Sequence, residues 1–286
     1  MTRVWLITGL LQYESGKTWL TIAFAKNLIE RGYMVRLYKP VAGHSAWYQF
    51  KTLVDSIKYR VLVGEDVVKY RDYLGVKQDF ELLNPIDILS APPSPTRYRS
   101  IAEYLAALEV LAEQIVMVRL SDPIEGLSKY YIVEGSINKL VEGLREWIYK
   151  LKTLFNPSRI GVEDLLDEIY SPSTSTILYK TLKVLAEDSD ILLVESFNDA
   201  AIPFYELLDL VEKTFMVTPG YVYELDVVGF KKLVKRNYAL YGDIGVKMSK
   251  IFPYIDTIFE SPLPIANSPI ELASKIKEII GELIKK

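Results

Sequence analysis

The sequence predicts an α/β protein, a three-layer sandwich with a mostly parallel central sheet. An apolar strand that begins at residue 4 is followed by a tight loop and by an amphipathic helix over residues 19–28. A second strand is predicted at residues 34–38, and a continuous apolar run at residues 190–195 is typical of a strand buried on both faces. Because strand–helix–strand units in one sheet place their strands parallel, we expect a mostly parallel sheet.

Further elements follow the same periodicities along the 286 residues. Helices are predicted at residues 46–59, 67–74, 101–111, 137–155, 162–169, 175–186 and 270–285, and strands at residues 115–120, 130–133 and 214–220. Proline-containing segments at residues 84–87 and 91–95 predict loops. We expect a single domain over residues 1–286, with an insertion at residues 121–172 that lies over the active-site rim, makes a subunit contact or is plain structural elaboration.

The composition excludes several classes of protein. The 34 basic and 37 acidic residues nearly balance, for a net charge of −3, whereas a nucleic-acid-binding domain is normally basic. With no cysteine and a single histidine, thiolate chemistry and Cys-based or His-rich metal sites are excluded. No signal peptide is visible, and no apolar run approaches the roughly 20 residues that span a bilayer. We therefore expect a soluble, cytoplasmic protein with neither a nucleic-acid nor a membrane partner.

The first loop carries the motif with the clearest chemistry. Gly16-Lys17-Thr18 stands between the first predicted strand and the first predicted helix. A glycine at this point lets backbone N–H groups close on phosphate oxygens, the lysine reaches the outer phosphates, and the hydroxyl binds Mg²⁺. The sequence therefore predicts a phosphate-binding loop (P-loop) after the first strand, and with it nucleotide binding.

The spacing of this loop is irregular. Counting back five residues from Gly16 reaches Leu11, and the upstream glycine is Gly9. The alternative interpretation is an ordinary strand-to-helix turn that carries a lysine, since short motifs also occur by chance. The predicted nucleotide-binding residues are Gly9, Glu14, Ser15, Gly16, Lys17 and Thr18.

Two charged residues end predicted strands. Lys39 follows the strand at residues 34–38, and Glu195 ends the apolar strand at residues 190–195. Ligands of parallel sheets gather at the carboxyl ends of the strands, so we expect both residues on the same rim as the loop. A carboxylate that ends a fully apolar strand is costly unless a metal, a partner or water meets it. His44, close to Lys39, is interpreted as an ordinary loop residue or as a phosphate or substrate contact.

Four landmarks, taken in order, resemble those of dethiobiotin synthetase and its relatives. They are the loop ending in Gly16-Lys17-Thr18, the segment Tyr38-Lys39-Pro40-Val41, Asn84-Pro85 with the prolines at 92–95, and Leu192-Leu193-Val194-Glu195. The resemblance covers residues 1–95 and 188–220 and not the middle of the chain. It implies ATP and Mg²⁺ as cofactors and a homodimeric protein.

The resemblance also implies roles for individual residues. Lys17 would bind the phosphates and act in catalysis together with Lys39, which would lie beside the reacting group. The implied Mg²⁺ ligands are Thr18, Asp66 and Glu195, with Asp55 as the alternative to Asp66. This set is chemically coherent, because Mg²⁺ prefers one or two carboxylates and two lysines neutralise charge on a transferred phosphoryl group.

The chain also departs from the family pattern. The family has Gly-Ala-Gly-Gly after its Val-Glu, whereas Glu195 is followed by Ser196-Phe197-Asn198-Asp199. Phe197 is expected to change or fill the pocket for a small substrate. We therefore predict a Mg-ATP-binding P-loop ATPase of dethiobiotin-synthetase-like type, which transfers or hydrolyses the γ-phosphoryl group and has an unidentified small-molecule substrate. The alternatives are an authentic dethiobiotin synthetase, which carboxylates a diamino acid and closes a ring, and a nucleotide-gated switch that acts on a protein partner.

Overall fold

The prediction of an α/β protein is confirmed. The computed structural model describes residues 2–242 and 246–285. In these ranges helices occur between strands, and the strands form two mixed sheets, one of which is mostly parallel. The strands divide into two sheets, one of six and one of five strands, where the sequence analysis described one central sheet. No helix in these two ranges is long and apolar enough to cross a membrane.

The helices and strands are numbered in chain order. The strands are β1 (Arg3–Gly9), β2 (Val35–Tyr38), β3 (Val41–Ser45), β4 (Ile86–Ser90), β5 (Ile115–Asp122), β6 (Leu127–Ile132), β7 (Ser158–Arg159), β8 (Ile191–Glu195), β9 (Val211–Thr218), β10 (Tyr221–Leu225) and β11 (Thr257–Pro262). The helices are α1 (Lys17–Glu30), α2 (Lys51–Tyr59), α3 (Glu65–Leu74), α4 (Phe80–Leu83), α5 (Ile101–Glu109), α6 (Leu111–Gln114), α7 (Glu134–Ile137), α8 (Glu142–Phe155), α9 (Val162–Ile169), α10 (Pro172–Glu187), α11 (Val227–Tyr241), α12 (Met248–Ile251), α13 (Pro269–Lys275) and α14 (Lys277–Lys285). Short 3₁₀ helices cover Pro95–Arg97, Tyr205–Asp209 and Phe252–Tyr254.

The chain forms two compact units. The first comprises Met1–Pro40, Lys69–Gln78 and Ser175–Lys286, and the second comprises Val41–Val68 and Asp79–Thr174. The predicted insertion at residues 121–172 belongs to the second unit, and its role stays a prediction. Among the predicted functional residues, His44, Asp55 and Asp66 lie in the second unit and the others in the first.

The sheet of the first unit has the strand order β11-β10-β9-β1-β8-β2. Strands β9, β1, β8 and β2 run parallel to one another, whereas β10 pairs antiparallel with both β9 and β11. In the register, Ile7 stands opposite Glu195 and Tyr38 opposite Val194. The carboxyl ends of β1, β8 and β2 therefore meet at one edge of the sheet, where the residues that follow them can converge.

An aromatic cluster and a buried amide fix α1 on this sheet. The Phe215 ring lies 5.6 Å from the Trp5 ring and 5.0 Å from the Phe24 ring, and all three side chains are fully buried. On the far side of α1, Asn27 donates a hydrogen bond to the carbonyl oxygen of Ala273 in α13 at 2.7 Å. Because α1 is held on both sides, the loop that precedes it starts and ends at fixed points.

The second unit corrects two loop predictions. Residues 86 and 87, predicted as loop, open β4, and β4 lies between β3 and β5 in the order β3-β4-β5-β6-β7. Pro85 immediately precedes this strand, where a missing N–H costs no ladder bond, and its carbonyl oxygen accepts from the backbone N–H of Ser121 at 2.9 Å. His44, interpreted as a loop residue, lies in β3 and is buried.

Several helices differ from their predicted bounds, among them the helix predicted at residues 137–155, which the structure divides into α7 and α8. The helix predicted at residues 46–59 begins only at Lys51, because the Gln49 side chain accepts from the backbone N–H of Ser45 at 3.0 Å and holds the preceding residues in turns. The helix predicted at residues 270–285 divides at Ile276, whose backbone leaves the helical region at φ −103° and ψ 15°. The strand predicted at residues 115–120 and the helix predicted at 162–169 are confirmed as β5 and α9.

A buried arginine organises the core of the second unit. Arg119 of β5 is fully buried and donates hydrogen bonds to the carbonyl oxygen of Leu62 at 2.9 Å, to Ser121 Oγ at 2.7 Å and to the carbonyl oxygen of Asn84 at 2.8 Å. Asp87 stands opposite Arg119 in the register and is also fully buried. The guanidinium therefore joins β5 to Leu62 and to Asn84, which lies just before β4, in one hydrogen-bonded network. A buried charge requires such partners.

The buried Asp87 is itself paired. Its Oδ1 lies 2.8 Å from Nε2 of His44, and its Oδ2 accepts from the backbone N–H of Gly64 at 2.9 Å. Nδ1 of His44 lies 2.7 Å from Oγ1 of Thr52, whose hydroxyl donates to the carbonyl oxygen of Gln49 at 2.8 Å. Since Thr52, His44 and Asp87 are all buried, the histidine links α2, β3 and β4 inside the second unit.

Candidate functional site

The predicted phosphate-binding loop connects β1 to α1. Strand β1 ends at Gly9, and α1 begins at Lys17 with Gly16 as its N-cap residue. Gly16 has φ 96°, a left-handed conformation that glycine adopts without steric cost. No side chain in the described chain caps this helix N-terminus, and its first turn contains no acidic residue. The first N–H groups of α1 are therefore suited to an anionic ligand.

The loop folds back on the end of β1. A Cβ atom added at Gly9 would lie 2.3 Å from Oγ of Ser15 and 3.0 Å from Nζ of Lys17, so only glycine fits there. Ser15 is buried, and its hydroxyl donates to the carbonyl oxygen of Leu11 at 3.0 Å. The Gly9 to Gly16 interval is thus a closed turn despite its irregular length.

Lys17 lies inside this turn. Its side chain is 8% exposed, and Nζ donates to the carbonyl oxygen of Asn198 at 2.7 Å and to Oγ of Ser15 at 3.2 Å. An ammonium group on the first residue of a helix adds positive charge near the N-terminus, where an anion would bind. Glu14, in contrast, is exposed and has φ 52°, and none of the contacts described for the loop involves its side chain.

Glu195 is the point at which the other predicted residues meet. It is fully buried at the end of β8, and its Oε1 accepts from Thr18 Oγ1 at 2.8 Å and from Lys39 Nζ at 2.5 Å. Its Oε2 accepts from the hydroxyl of Tyr70 at 2.5 Å. The cost of burying the carboxylate is thus offset by one ion pair and two hydroxyl donors. The structure brings Thr18, Lys39 and Glu195 together, as strand-end reasoning predicted.

Tyr70 is a site residue that the sequence reasoning missed. It lies in α3, four residues after Asp66, and is fully buried. In the sequence it continues the apolar pattern of the helix predicted at residues 67–74, which is how a core aromatic also looks. Its only sequence signal is a hydroxyl on a buried face, which requires a hydrogen-bond partner.

The turn after β8 is built around Asn198. Asn198 has φ 43°, a left-handed conformation that asparagine tolerates better than most residues. The carbonyl oxygen of Ala200 closes the turn by accepting from Thr8 Oγ1 at 2.8 Å and from Ser196 Oγ at 2.7 Å. This arrangement aims the Asn198 carbonyl oxygen at Lys17.

Tyr13 stands at the exposed side of the loop. Partial burial, and then the negative charge of Asp199, raise the pKa of the Tyr13 hydroxyl above its ordinary value. Asp199 forms an ion pair with Lys247 at 3.3 Å. The negative charge of Asp199, in the turn after β8, therefore lies near the loop, and the positive charge of Lys247 lies beside it.

The donor set fits Mg²⁺. Thr18 Oγ1 and Glu195 Oε1 are a hydroxyl and a carboxylate oxygen 2.8 Å apart. Two adjacent ligands of an octahedral Mg²⁺ at about 2.1 Å lie about 3 Å apart, so these two oxygens match one edge of that geometry. The described residues contain no group of three or more His, Cys, Asp or Glu side chains that could hold a metal ion. Mg²⁺ at this point would therefore depend on phosphate oxygens and water for its other ligands.

The second acidic ligand stays a prediction. Asp66 lies in the first turn of α3, and Asp55 lies in the middle of α2. Asp55 is buried and accepts from Lys51 Nζ at 2.6 Å, one helical turn earlier. Its charge is therefore compensated within α2 by a lysine one turn earlier.

Two cavities in the first unit lie away from these residues. One of about 490 Å³ is lined by residues 25, 29, 35–37 and 74–78, and one of about 710 Å³ by residues 2, 3, 31–33, 187, 189 and 190. None of the residues predicted from the sequence lines either cavity.

The Lys17 side chain crosses the loop to the carbonyl oxygen of Asn198. A ligand has to displace that contact to enter the turn.

No protein-family model matches the sequence, and no curated protein matches it either.

Proposed function

We propose that the chain is a P-loop ATPase of dethiobiotin-synthetase-like type that binds Mg·ATP. The observation that carries the proposal is the convergence of Thr18, Lys39 and Glu195 beside Lys17, at the carboxyl ends of the parallel strands β1, β2 and β8. It is supported by the uncapped N-terminus of α1 and by Gly9, which lets Ser15 and Lys17 approach β1. In this proposal the first sheet is the centre of a three-layer sandwich, and the loop of residues 9–16 is its P-loop.

The proposed roles follow from charge and position. Lys17 and the N–H groups of α1 bind the β- and γ-phosphates, and Lys39 neutralises charge that builds up on the γ-phosphoryl group. Thr18 and Glu195 hold Mg²⁺, which compensates charge on the phosphate oxygens when bound. Asp66 remains the proposed second acidic ligand.

The proposed chemistry is γ-phosphoryl transfer. A bond forms between the γ-phosphorus and an incoming oxygen, from water or from a small-molecule substrate, and the bond to the bridging oxygen breaks. ADP leaves with that oxygen and its electron pair. Lys39 already contacts Glu195 in a buried setting, where a charge acts more strongly than in water. A homodimer in solution belongs to the same proposal.

Phosphate release from ATP tests the proposal. We expect release that requires Mg²⁺ and stops with EDTA. Without a second substrate we expect it to be slow, because water is then the phosphoryl acceptor and the binding energy of the substrate is not available to the transition state. Stimulation by a diamino acid with bicarbonate identifies an authentic dethiobiotin synthetase. Stimulation by a purified protein, with no response to small molecules, identifies a nucleotide-gated switch. A protein that neither binds nor hydrolyses ATP contradicts all three.

A further inference from the structure

The hydroxyl of Tyr70 is the donor that faces Oε2 of Glu195. Their distance is 2.5 Å, and neither side chain is exposed to solvent. Thr18 and Lys39 both donate to the other oxygen, Oε1. The two oxygens of Glu195 are therefore served by different groups, with Oε1 facing the loop and Oε2 facing α3.

This division matters because a carboxylate rotates easily. The terminal torsion of a glutamate side chain is broad, so the side chain alone does not fix the plane of the carboxylate. A fixed donor on Oε2 selects one rotation. Partners that orient a metal ligand in this way contribute to metal affinity without touching the metal.

Tyr70 is itself held in place by its neighbours in the first unit. The next residue, Arg71, donates through Nη2 to the carbonyl oxygen of Gln78 at 3.1 Å, and its own carbonyl oxygen accepts from the N–H of Gly75 at 3.0 Å. With its amide oriented to suit, Gln78 accepts from Nη1 of Arg36 in β2 at 2.6 Å. The segment of residues 69–78 is thus fastened to the same sheet that carries Glu195.

We infer that Tyr70 is a positioning residue for the Mg²⁺ site, which aims Oε1 of Glu195 at the metal position beside Thr18. The inference rests on the proposed function, and it adds the group that sets metal affinity. Tyr70 is buried behind the carboxylate, so it acts through Glu195 and does not contact the nucleotide. Loss of its hydroxyl frees the carboxylate to rotate and weakens Mg²⁺ binding, whereas nucleotide binding in the absence of Mg²⁺ does not change.

The test compares Tyr70→Phe with a matched control, Tyr38→Phe. Tyr38 is also a fully buried tyrosine of the first unit, and its hydroxyl donates to the carbonyl oxygen of Leu178 at 2.9 Å, away from Glu195. Affinity for a fluorescent, non-hydrolysable ATP analogue is measured in EDTA and over a Mg²⁺ series. For Tyr70→Phe we expect the affinity for the analogue in EDTA to be unchanged. The Mg²⁺ concentration that gives half of the full Mg²⁺-dependent change in this affinity is expected to rise about tenfold. Tyr38→Phe keeps the wild-type Mg²⁺ dependence.

The possible failures are distinguishable. If Tyr70→Phe and Tyr38→Phe have the same Mg²⁺ dependence as the wild type, the positioning role is wrong and the proposed function stands. If the wild-type protein does not bind the analogue at all, the proposed function is wrong and the inference falls with it. Circular dichroism melting shows whether each variant is folded. If Tyr70→Phe is not folded, Tyr70→Met is measured in its place.

Discussion

If the proposed function holds, we expect Glu195→Gln to lower Mg²⁺-dependent phosphate release at least about 100-fold relative to the wild type. Glutamine keeps the shape of the side chain but removes the negative charge that Thr18 and Lys39 face. The variant loses the proposed carboxylate ligand of Mg²⁺ and leaves the buried ammonium of Lys39 without its carboxylate. Initial rates of phosphate release at saturating ATP, measured over a Mg²⁺ series, provide the comparison.

The matched control is Glu224→Gln. Glu224 is the other buried glutamate of the first unit that is paired with a lysine, with Lys213 Nζ 2.8 Å from its Oε1. Both variants lose a buried ion pair and are expected to unfold at a lower temperature, because the partner lysine remains uncompensated. Only Glu195→Gln is expected to lose activity per folded molecule. Equal activity losses in the two variants would mean that Glu195 has only a structural role.

Arg119→Met destabilises the protein by about 3–5 kcal/mol, the largest stability change that we expect in the second unit. Methionine approximates the length of the arginine stem but has no N–H group. The carbonyl oxygens of Leu62 and Asn84 would stay buried without their donor, and each such group costs about 1–3 kcal/mol. The buried charge of Asp87, which stands opposite Arg119, would also lose its nearest opposite charge on β5.

Denaturant unfolding checks this prediction. Arg119→Lys is expected to be destabilising as well, because an ammonium group cannot reach the acceptors that the planar guanidinium spans. Arg99→Met is the control in the same unit, since Arg99 is exposed, and its free energy of unfolding is expected to change by no more than about 0.5 kcal/mol. If Arg119→Met is as stable as Arg99→Met, the network does not hold the core of the second unit together.

The sequence was sufficient for the features of the first unit that depend on neighbouring residues. The loop before α1, the apolar strand ending in Glu195 and the strand before Lys39 each show in a short window. The rule that ligands gather at the carboxyl ends of parallel strands then placed Lys39 and Glu195 on one edge, where they form an ion pair at 2.5 Å.

The features that were not predicted depend on contacts between residues that are far apart in the sequence. Tyr70 lies 125 residues from Glu195 in the sequence, and nothing near Tyr70 distinguishes it from a core aromatic. In the same way, His44 and Asp87 sit in strands whose short, partly polar sequences resemble loops until β3, β4 and β5 pair. Tertiary pairing overrides local preference in such strands.

The division into two sheets has the same cause. The strand pattern does not say which strands share a sheet, so the strands of residues 86–90 and 115–122 could not be separated from those of the first unit. The choice between Asp66 and Asp55 also could not be made from spacing.

The affinity of Lys17→Ala for Mg·ATP tests the central claim most directly. Equilibrium titration with a non-hydrolysable ATP analogue compares the wild type, Lys17→Ala and Lys26→Ala, which changes a lysine on the same helix that pairs with Glu30 at 3.1 Å. If Lys17 binds phosphate, Lys17→Ala raises the Kd at least about 10-fold, the value of a lost hydrogen bond to a charged group, and Lys26→Ala leaves it unchanged. An unchanged Kd for Lys17→Ala would contradict the proposed nucleotide site.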